Sequence, residues 1–326
     1  MIVLIPKVIG AQAMGDFRPI ALANFQFKIV TKILADRLSI VAMRIVSLEQ
    51  RSFLRDRNIS ECIILASEAV NMIDRRQFGG NVALEVDIQK AFDTLDWSFL
   101  VAVLRKFDFS SVFTDWILAI LQLARLSILV NGRAVGFFSC SRGVRQGDPL
   151  SPLLFCIAEE VLSREISMAC YAGKITPMFY CRGTSIPTHI WYADDVLIFC
   201  AGTKQNIRCL LKIFNDYSEV FGQIINNCKS RFYSGAMTTS RSQMIAGMLG
   251  FSAGTIPFTY LGCPIFKGKP KGIYFQSIID RIKVKLATWK GTMLTIMGQV
   301  QLIKSIIHGM LVYSFHIYLW PKHLLH

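Results

Sequence analysis

Along this chain, stretches with apolar residues at helical spacing give way to short stretches that alternate like strands, and each change of period marks an element. From Asn24 to Val46 the apolar residues Phe25, Ile29, Ile33, Leu34 and Leu38 fall on one helical face beside Lys28, Lys32 and Arg37, which predicts a long helix. Before it the chain reads as an opening strand and a loop from Gly10 to Gly15. A second helix is predicted over roughly Ser60 to Met72, after the charged stretch Arg51 to Arg57. Gly79-Gly80 signals a turn into an alternating strand that should end near Asp87. Helices are expected near Asp96 to Lys106 and Ser111 to Leu123. Strands at Arg125 to Leu129 and Val135 to Cys140 should pair around Asn131-Gly132, a tight-hairpin dipeptide. Ser151-Pro152 predicts a helix to about Met168, with Ser as cap and Pro in the first turn. Asn206 to Tyr217 is helical by pattern, short strands follow near Arg231 and Phe258, and Arg281 to Leu286 and Gln299 to Tyr313 lie in helices.

One stretch breaks the pattern. Trp191-Tyr192-Ala193-Asp194-Asp195-Val196-Leu197-Ile198-Phe199 sets two adjacent carboxylates between apolar runs. Ile190 to Tyr192 and Val196 to Phe199 read as the arms of a tight hairpin, with Ala193 to Asp195 at or beside the turn. Neighbouring carboxylates repel each other and resist desolvation, so either something positive shares the site or the turn is wet. A second acidic stretch lies about a hundred residues earlier, Val82 to Asp93, with Asp87 at its strand end. If the two strands are sheet neighbours, the three carboxylates converge. Such a set, with no His or Cys nearby, offers hard oxygen ligands that suit Mg²⁺ rather than zinc. Paired ions about 3.5–4 Å apart serve in-line phosphoryl transfer.

Charge narrows the partner. With 326 residues the chain holds one large domain or two small ones, and its net charge of +14 points to nucleic acid or an anionic surface. From Phe221 to His326 there are twelve Lys or Arg against a single acid, Asp280, so the last third carries +11 of that excess. The nine cysteines show no C-x-x-C and no Cys/His ligand spacing, which reads as reduced core residues of an intracellular protein without a zinc site. Met1 to Ile9 lacks the form of a signal peptide. Ser305 to Pro321, seventeen residues free of Lys, Arg, Asp and Glu, is short for a membrane span and is expected to be a buried helix.

A third motif completes the set: Arg145-Gln146-Gly147-Asp148-Pro149-Leu150-Ser151-Pro152. In order and spacing, it, the Asp87-to-Asp93 stretch and Tyr192-Ala193-Asp194-Asp195 resemble the reverse-transcriptase domain of a non-LTR (LINE-type) retrotransposon, most like those of plant genomes. The resemblance covers nearly the whole chain. It implies an α+β right-hand polymerase. Residues 1–80 would be fingers, 81–265 a palm with a small antiparallel sheet and finger–palm helices at 96–125, and 266–326 a partial helical thumb. It further implies an RNA-directed DNA polymerase that joins dNTPs to a DNA primer on an RNA template, using two Mg²⁺ ions, with Mn²⁺ as a substitute. The nucleus is the expected place of action. The upstream endonuclease and downstream regions of such elements are not in this chain, which therefore reads as a fragment. The alternative is a catalytically inactive remnant that still binds nucleic acid.

The same resemblance assigns residues. Asp87 and Asp194 bind metal, with Asp195 beside them and the Ile88 carbonyl helping; Asp93 is left a structural role at a helix start. Phe92, five residues after Asp87, stands where a steric gate excludes the ribose 2′-hydroxyl, against the alternative of an ordinary core ring. Gln146 and Gly147 form a bend against the incoming nucleotide, and Arg145 reads equally as a loop cation. Lys7 and Arg18 match the cations that grip the triphosphate. Lys229 matches the Lys that protonates the leaving pyrophosphate. Tyr260-Leu261-Gly262-Cys263-Pro264 resembles the primer grip, Tyr192 is likewise assigned to the primer, and Lys283 and Lys285, among Lys267 to Lys290 around Tyr274 and Trp289, would neutralise phosphates. The apolar tail is expected to expose a patch at Leu311, Tyr313, Phe315, Tyr318 and Trp320.

Overall fold

The computed structural model describes residues 1–8, 10–179, 186–288 and 294–324. In chain order its elements are β1 (Ile2–Pro6), β2 (Phe17–Ala21), α1 (Phe25–Ile45), α2 (Ile59–Met72), β3 (Asn81–Asp87), α3 (Ala91–Thr94), α4 (Trp97–Lys106) and α5 (Ser111–Gln122). A hairpin of β4 (Arg125–Val130) and β5 (Arg133–Ser139) precedes α6 (Ser151–Tyr171), β6 (His189–Tyr192), β7 (Asp195–Ala201) and α7 (Lys204–Phe221). Then come β8 (Arg231–Ser234), α8 (Thr239–Leu249), β9 (Ser252–Ala253), β10 (Phe258–Tyr260), β11 (Cys263–Ile265), α9 (Gly272–Thr288), α10 (Ile296–Leu302) and α11 (His308–Phe315).

The strand of the first acidic stretch lies at the centre of a five-stranded sheet of order β6-β7-β3-β8-β9, mostly antiparallel. Its alternation sorts the two faces. Val82, Leu84 and Val86 enter one hydrophobic cluster with α6 and α7, whereas Ala83 enters a second with α2. Strand β7 is buried on both sides: Val196, Ile198 and Cys200 join the first cluster and Leu197 and Phe199 the second. A strand covered on both faces reads as a continuous apolar run, which is why the segment after Asp195 shows no polar alternation. The buried thiols of Cys62, Cys156, Cys200 and Cys263 are pushed up to about 12 by loss of solvent.

Three readings change. After the Gly10–Gly15 loop the chain returns as β2, a strand not expected there, and β1 also meets β4 in a second sheet of order β2-β1-β4-β5. The first sheet thus combines two strands from residues 1–21 with two from 125–139, and α2 packs on the second cluster. Ser151 is not the cap of α6: it stands inside the helix after Leu150, whose amide is taken by Asp148 Oδ1 at 3.0 Å. The tail does not expose its aromatic set. Tyr318 and Trp320 are 9% and 8% exposed, and their rings lie 4.9 Å from Phe266 and 4.6 Å from Phe275. Phe315 stays exposed and Tyr313 is half-buried, while the side chain of Leu311 lies outside the described ones. No described helix is long and apolar enough to cross a membrane.

Candidate active site

Antiparallel register puts Asp87, the last residue of β3, directly across from Asp195, the first of β7. Tyr192 pairs with that same Asp195, so Ala193 and Asp194 form the two-residue turn. Ala193 takes φ 57°, a left-handed conformation that costs an L residue roughly 1–2 kcal/mol. The turn is held from below: the Ala193 amide donates to Ser52 Oγ at 2.9 Å, and Ser52 Oγ donates to Gln50 Oε1 at 2.7 Å. The Trp191 amide donates to the Glu49 carbonyl and the Arg51 amide to the Trp191 carbonyl, both at 2.8 Å. Across the strand, the Asp87 amide donates to Ser230 Oγ at 3.0 Å and its carbonyl accepts from the Asn226 amide at 2.8 Å. Lys229 is thereby carried to the same end of the sheet.

The carboxylates disturb one another. Asp194 and Asp195 reach solvent at their tips, but protein crowds their inner sides, and desolvation is the largest cause of a raised pKa in both. Asp195 rises to about 6, with Asp194, Glu85 and Asp87 adding repulsion. Asp194 also feels Asp87, and is pulled back down by Arg18 and Lys229. Both alternatives read from the sequence hold in part: Asp194 at the turn is exposed, and Arg18 and Lys229 act on it from two distant segments. Among the described residues no three His, Cys, Asp or Glu side chains converge closely enough to cage a metal ion unaided.

Arg18 reaches the site because β1 and β2 form a hairpin, with Arg18 opposite Ile5. Lys7 follows β1, its Nζ donating to the Gly15 carbonyl at 2.9 Å, and it helps to lower Asp93, which desolvation raises. Asp93 in turn accepts from Gln146 Nε2 at 3.3 Å, so the first acidic stretch and the Gln-Gly bend are joined. Gly147 sits at φ 101°, and a Cβ there would meet the Ala21 carbonyl at 3.0 Å. Arg145 departs from expectation. Its guanidinium is turned inward, 3.2 Å from Asp148 Oδ2, 3.3 Å from the Ile120 carbonyl and 4.5 Å over the Phe27 ring. It braces the bend, and at 14% side-chain exposure it is not the solvated loop cation of the alternative reading.

Phe92 is half-buried, stacked 4.3 Å from Phe155 with Phe53 edge-on at 6.3 Å, so its orientation is fixed while part of the ring stays open. Ile88 is buried and bridges to Ile225. Leu261 and Gly262, at φ 48° and 81°, make the turn of the β10–β11 hairpin, and Tyr313 Oη donates to the Leu261 carbonyl at 2.7 Å. Buried Tyr260 beside that turn has its pKa raised first by desolvation and also by Asp195 and Glu85, and it shares a hydrophobic cluster with Leu197 of β7 and half-buried Tyr192. Lys283 and Lys285 are exposed on α9; Trp289 and Lys290 lie outside the described residues, and Lys267 is paired with Asp74 at 2.8 Å.

One buried network beneath the site has no signature in the local sequence pattern. Tyr217 Oη lies 2.7 Å from Glu159 Oε2 and also against Gln223 Oε1, whose Nε2 donates to the Ala91 carbonyl at 2.8 Å. One tyrosine proton cannot serve two oxygens. The arrangement closes if a protonated Glu159 donates to Tyr217 and Tyr217 donates to Gln223. Burial pushes Glu159 up to about 8, in keeping with that order.

Residues 5–265 match the family model described as "Reverse transcriptase (RNA-dependent DNA polymerase)". The Pol polyprotein of the type-2 retrotransposable element R2DM of Drosophila melanogaster is 28% identical over 224 residues, covering 69% of this chain and 20% of that protein. That of a type-1 element R2 of Nasonia vitripennis is 30% identical over 213 residues, covering 64% of this chain and 19% of that protein. This chain thus spans about a fifth of the length of these relatives. In fold it is similar to apo telomerase from Candida tropicalis truncated from its C-terminal domain, with TM-score 0.51 and 15% identity over 73% of this chain and 50% of that one. The sheet with its acidic hairpin is the palm of a right-hand polymerase, and the chain belongs to the reverse transcriptase (RNA-dependent DNA polymerase) family, as the reverse-transcriptase domain of a LINE-type, non-LTR retrotransposon.

Proposed function

We propose that this domain adds deoxynucleotides to the 3′-hydroxyl of a DNA primer on an RNA template, by nucleotidyl transfer assisted by two divalent ions, and that it does so in the nucleus. The observation that carries the reading is the meeting of Asp87, Asp194 and Asp195 at one end of the central sheet, with Arg18 and Lys229 acting on Asp194. The donor set fits a hard cation. It is all oxygen, no described ion pair occupies it, and it is too sparse to cage an ion alone, which matches Mg²⁺ held by a few carboxylates plus substrate phosphates. Asp87, Asp194 and the Ile88 carbonyl would hold the ions, with Asp195 beside them, and Mn²⁺ would substitute. When bound, such ions favour ionisation of the primer hydroxyl and offset charge on the phosphates.

The chain's own residues do the rest. Arg18 and Lys7 take the triphosphate, the first as a planar fork and the second as a point charge. Phe92 closes the space where a 2′-hydroxyl would sit, and the Gln146-Gly147 bend lines the nucleotide on the other side. Lys229 passes a proton from Nζ to the departing pyrophosphate oxygen. Tyr192, Leu261 and Gly262 seat the primer end, while Lys283 and Lys285 neutralise duplex phosphates. In this reading 1–80 serve mainly as fingers, 81–265 as palm and 266–326 as thumb. Extension of oligo(dT) on poly(rA) with Mg²⁺ by the purified chain tests it. Labelled dTMP joins the primer if the reading holds; a chain that binds the duplex and extends nothing is the inactive remnant.

A further inference from the structure

At the far end of β3 from the carboxylates, the turn from α2 into the sheet faces the start of α8 across a cleft of about 230 Å³. Three arginines line it, Arg75, Arg76 and Arg241, and among the described residues none of them is in an ion pair. The one acid in the lining, Asp74, is already tied to Lys267 at 2.8 Å. Beside the cleft Phe78 is 82% exposed, and the Arg241 guanidinium stands 5.7 Å over its ring. A turn has no need of an exposed aromatic ring, and three guanidinium groups lining one cleft, whose single acid is already paired, make it attractive to an anion. The cleft is below the roughly 300 Å³ of an ordinary small-molecule pocket, which suits a short backbone segment of a longer ligand.

We propose that this cleft is a second nucleic-acid site, in which Arg75, Arg76 and Arg241 take backbone phosphates of single-stranded RNA and Phe78 stacks on an unpaired base. Charge and ring together select a single strand, because a duplex hides its base faces. The seven residues of β3 separate the cleft from Asp87 by about 20 Å. The site therefore holds RNA outside the catalytic cleft, as the unpaired flank of a template. The choice of RNA rests on the reverse-transcription reading above; the site itself rests on the cleft.

The test uses the full chain with its catalytic cleft filled by a saturating short primer–template. Binding of a 5′-labelled oligouridylate, and separately of oligo(dT) of equal length, is followed by fluorescence anisotropy across a salt series. The triple variant Arg75→Gln, Arg76→Gln, Arg241→Gln should flatten the slope of log K against log salt by about 2, at about 0.7 per lost phosphate contact on a single strand. Phe78→Ala should weaken oligouridylate about tenfold with the slope unchanged. Both variants should extend the short primer–template as the wild type does. An unchanged slope and affinity in the triple variant overturns the proposal, as does a loss confined to oligo(dT). Equal loss of short-template extension would move the arginines into the catalytic cleft or the fold, and also overturns it. If the wild type extends nothing, the polymerase reading fails while the anisotropy still decides the site.

Discussion

At the scale of single residues, two positions in the candidate site are proposed to work by shape. The Phe92 ring is clamped by Phe155 at 4.3 Å, so in the proposed gate it would not swing away from a ribose. Phe92→Val should let ribonucleotides in, lowering the dNTP-to-rNTP incorporation ratio by about tenfold to a hundredfold. Valine is the cleaner probe because Phe→Ala in packed surroundings costs about 3–5 kcal/mol. A folded variant with an unchanged ratio returns Phe92 to the core. Gly147 acts through backbone: at φ 101° with the Ala21 carbonyl 3.0 Å from a built Cβ, alanine is both strained and crowded. Gly147→Ala should destabilise by about 1–3 kcal/mol and raise KM for dNTP more than it lowers kcat. A variant with native melting and native KM would show that the bend does not need glycine. Arg145 marks where residue-level reading stops. Its motif neighbour Gln146 and its own charge suggested a ligand contact, and only the fold reveals Asp148, Ile120 and Phe27 around it.

At the scale of elements, legibility followed sequence distance and polarity. The two acidic stretches were readable because apolar runs flank them, and the Asn131-Gly132 hairpin because its turn residues name it. Strand β2 was missed, since Arg18 and Pro19 interrupt its apolar pattern, and α8 was missed because it begins Thr-Ser-Arg-Ser-Gln. The supports of the acidic hairpin and of the Asp87 strand end were invisible for another reason: Ser52 and Ser230 bond backbone 141 and 143 residues away, and no local period encodes that. The Glu159–Tyr217–Gln223 chain linking α6, α7 and the Ala91 carbonyl is of the same kind. Its proton has a consequence for stability. The folded state holds the Glu159 proton up to about 8 against an ordinary 4.5, so its contribution is complete below the lower value and lost as pH climbs through the upper. Glu159→Gln keeps the hydrogen bonds and cannot ionise. Urea melts should show the wild type losing on the order of 4 kcal/mol more than the variant between those limits. Parallel curves for the two proteins would mean that Glu159 is already ionised in the fold.

At the scale of the whole molecule, the first cluster joins α6 and α7 to one face of the palm sheet, and the second joins α2, the β10–β11 hairpin and the tail to the other. The tail is thus part of the core and not a loose hydrophobic end. Trp320→Ala should cost about 3–5 kcal/mol in a denaturant melt, whereas a tail resting on the surface would lose almost nothing. The aromatic run was legible as apolar; what covers it was not, because Phe266 and Phe275 precede Trp320 by dozens of residues. Both clusters serve one end of one sheet, where Asp87 faces Asp195 beside the Asp194 turn. The direct test of that convergence is Asp87→Asn, which keeps shape and removes charge. The account predicts that extension of oligo(dT) on poly(rA) is abolished while duplex affinity and the melting transition stay close to wild type. An Asp87→Asn protein that extends the primer at near-native rate would contradict it.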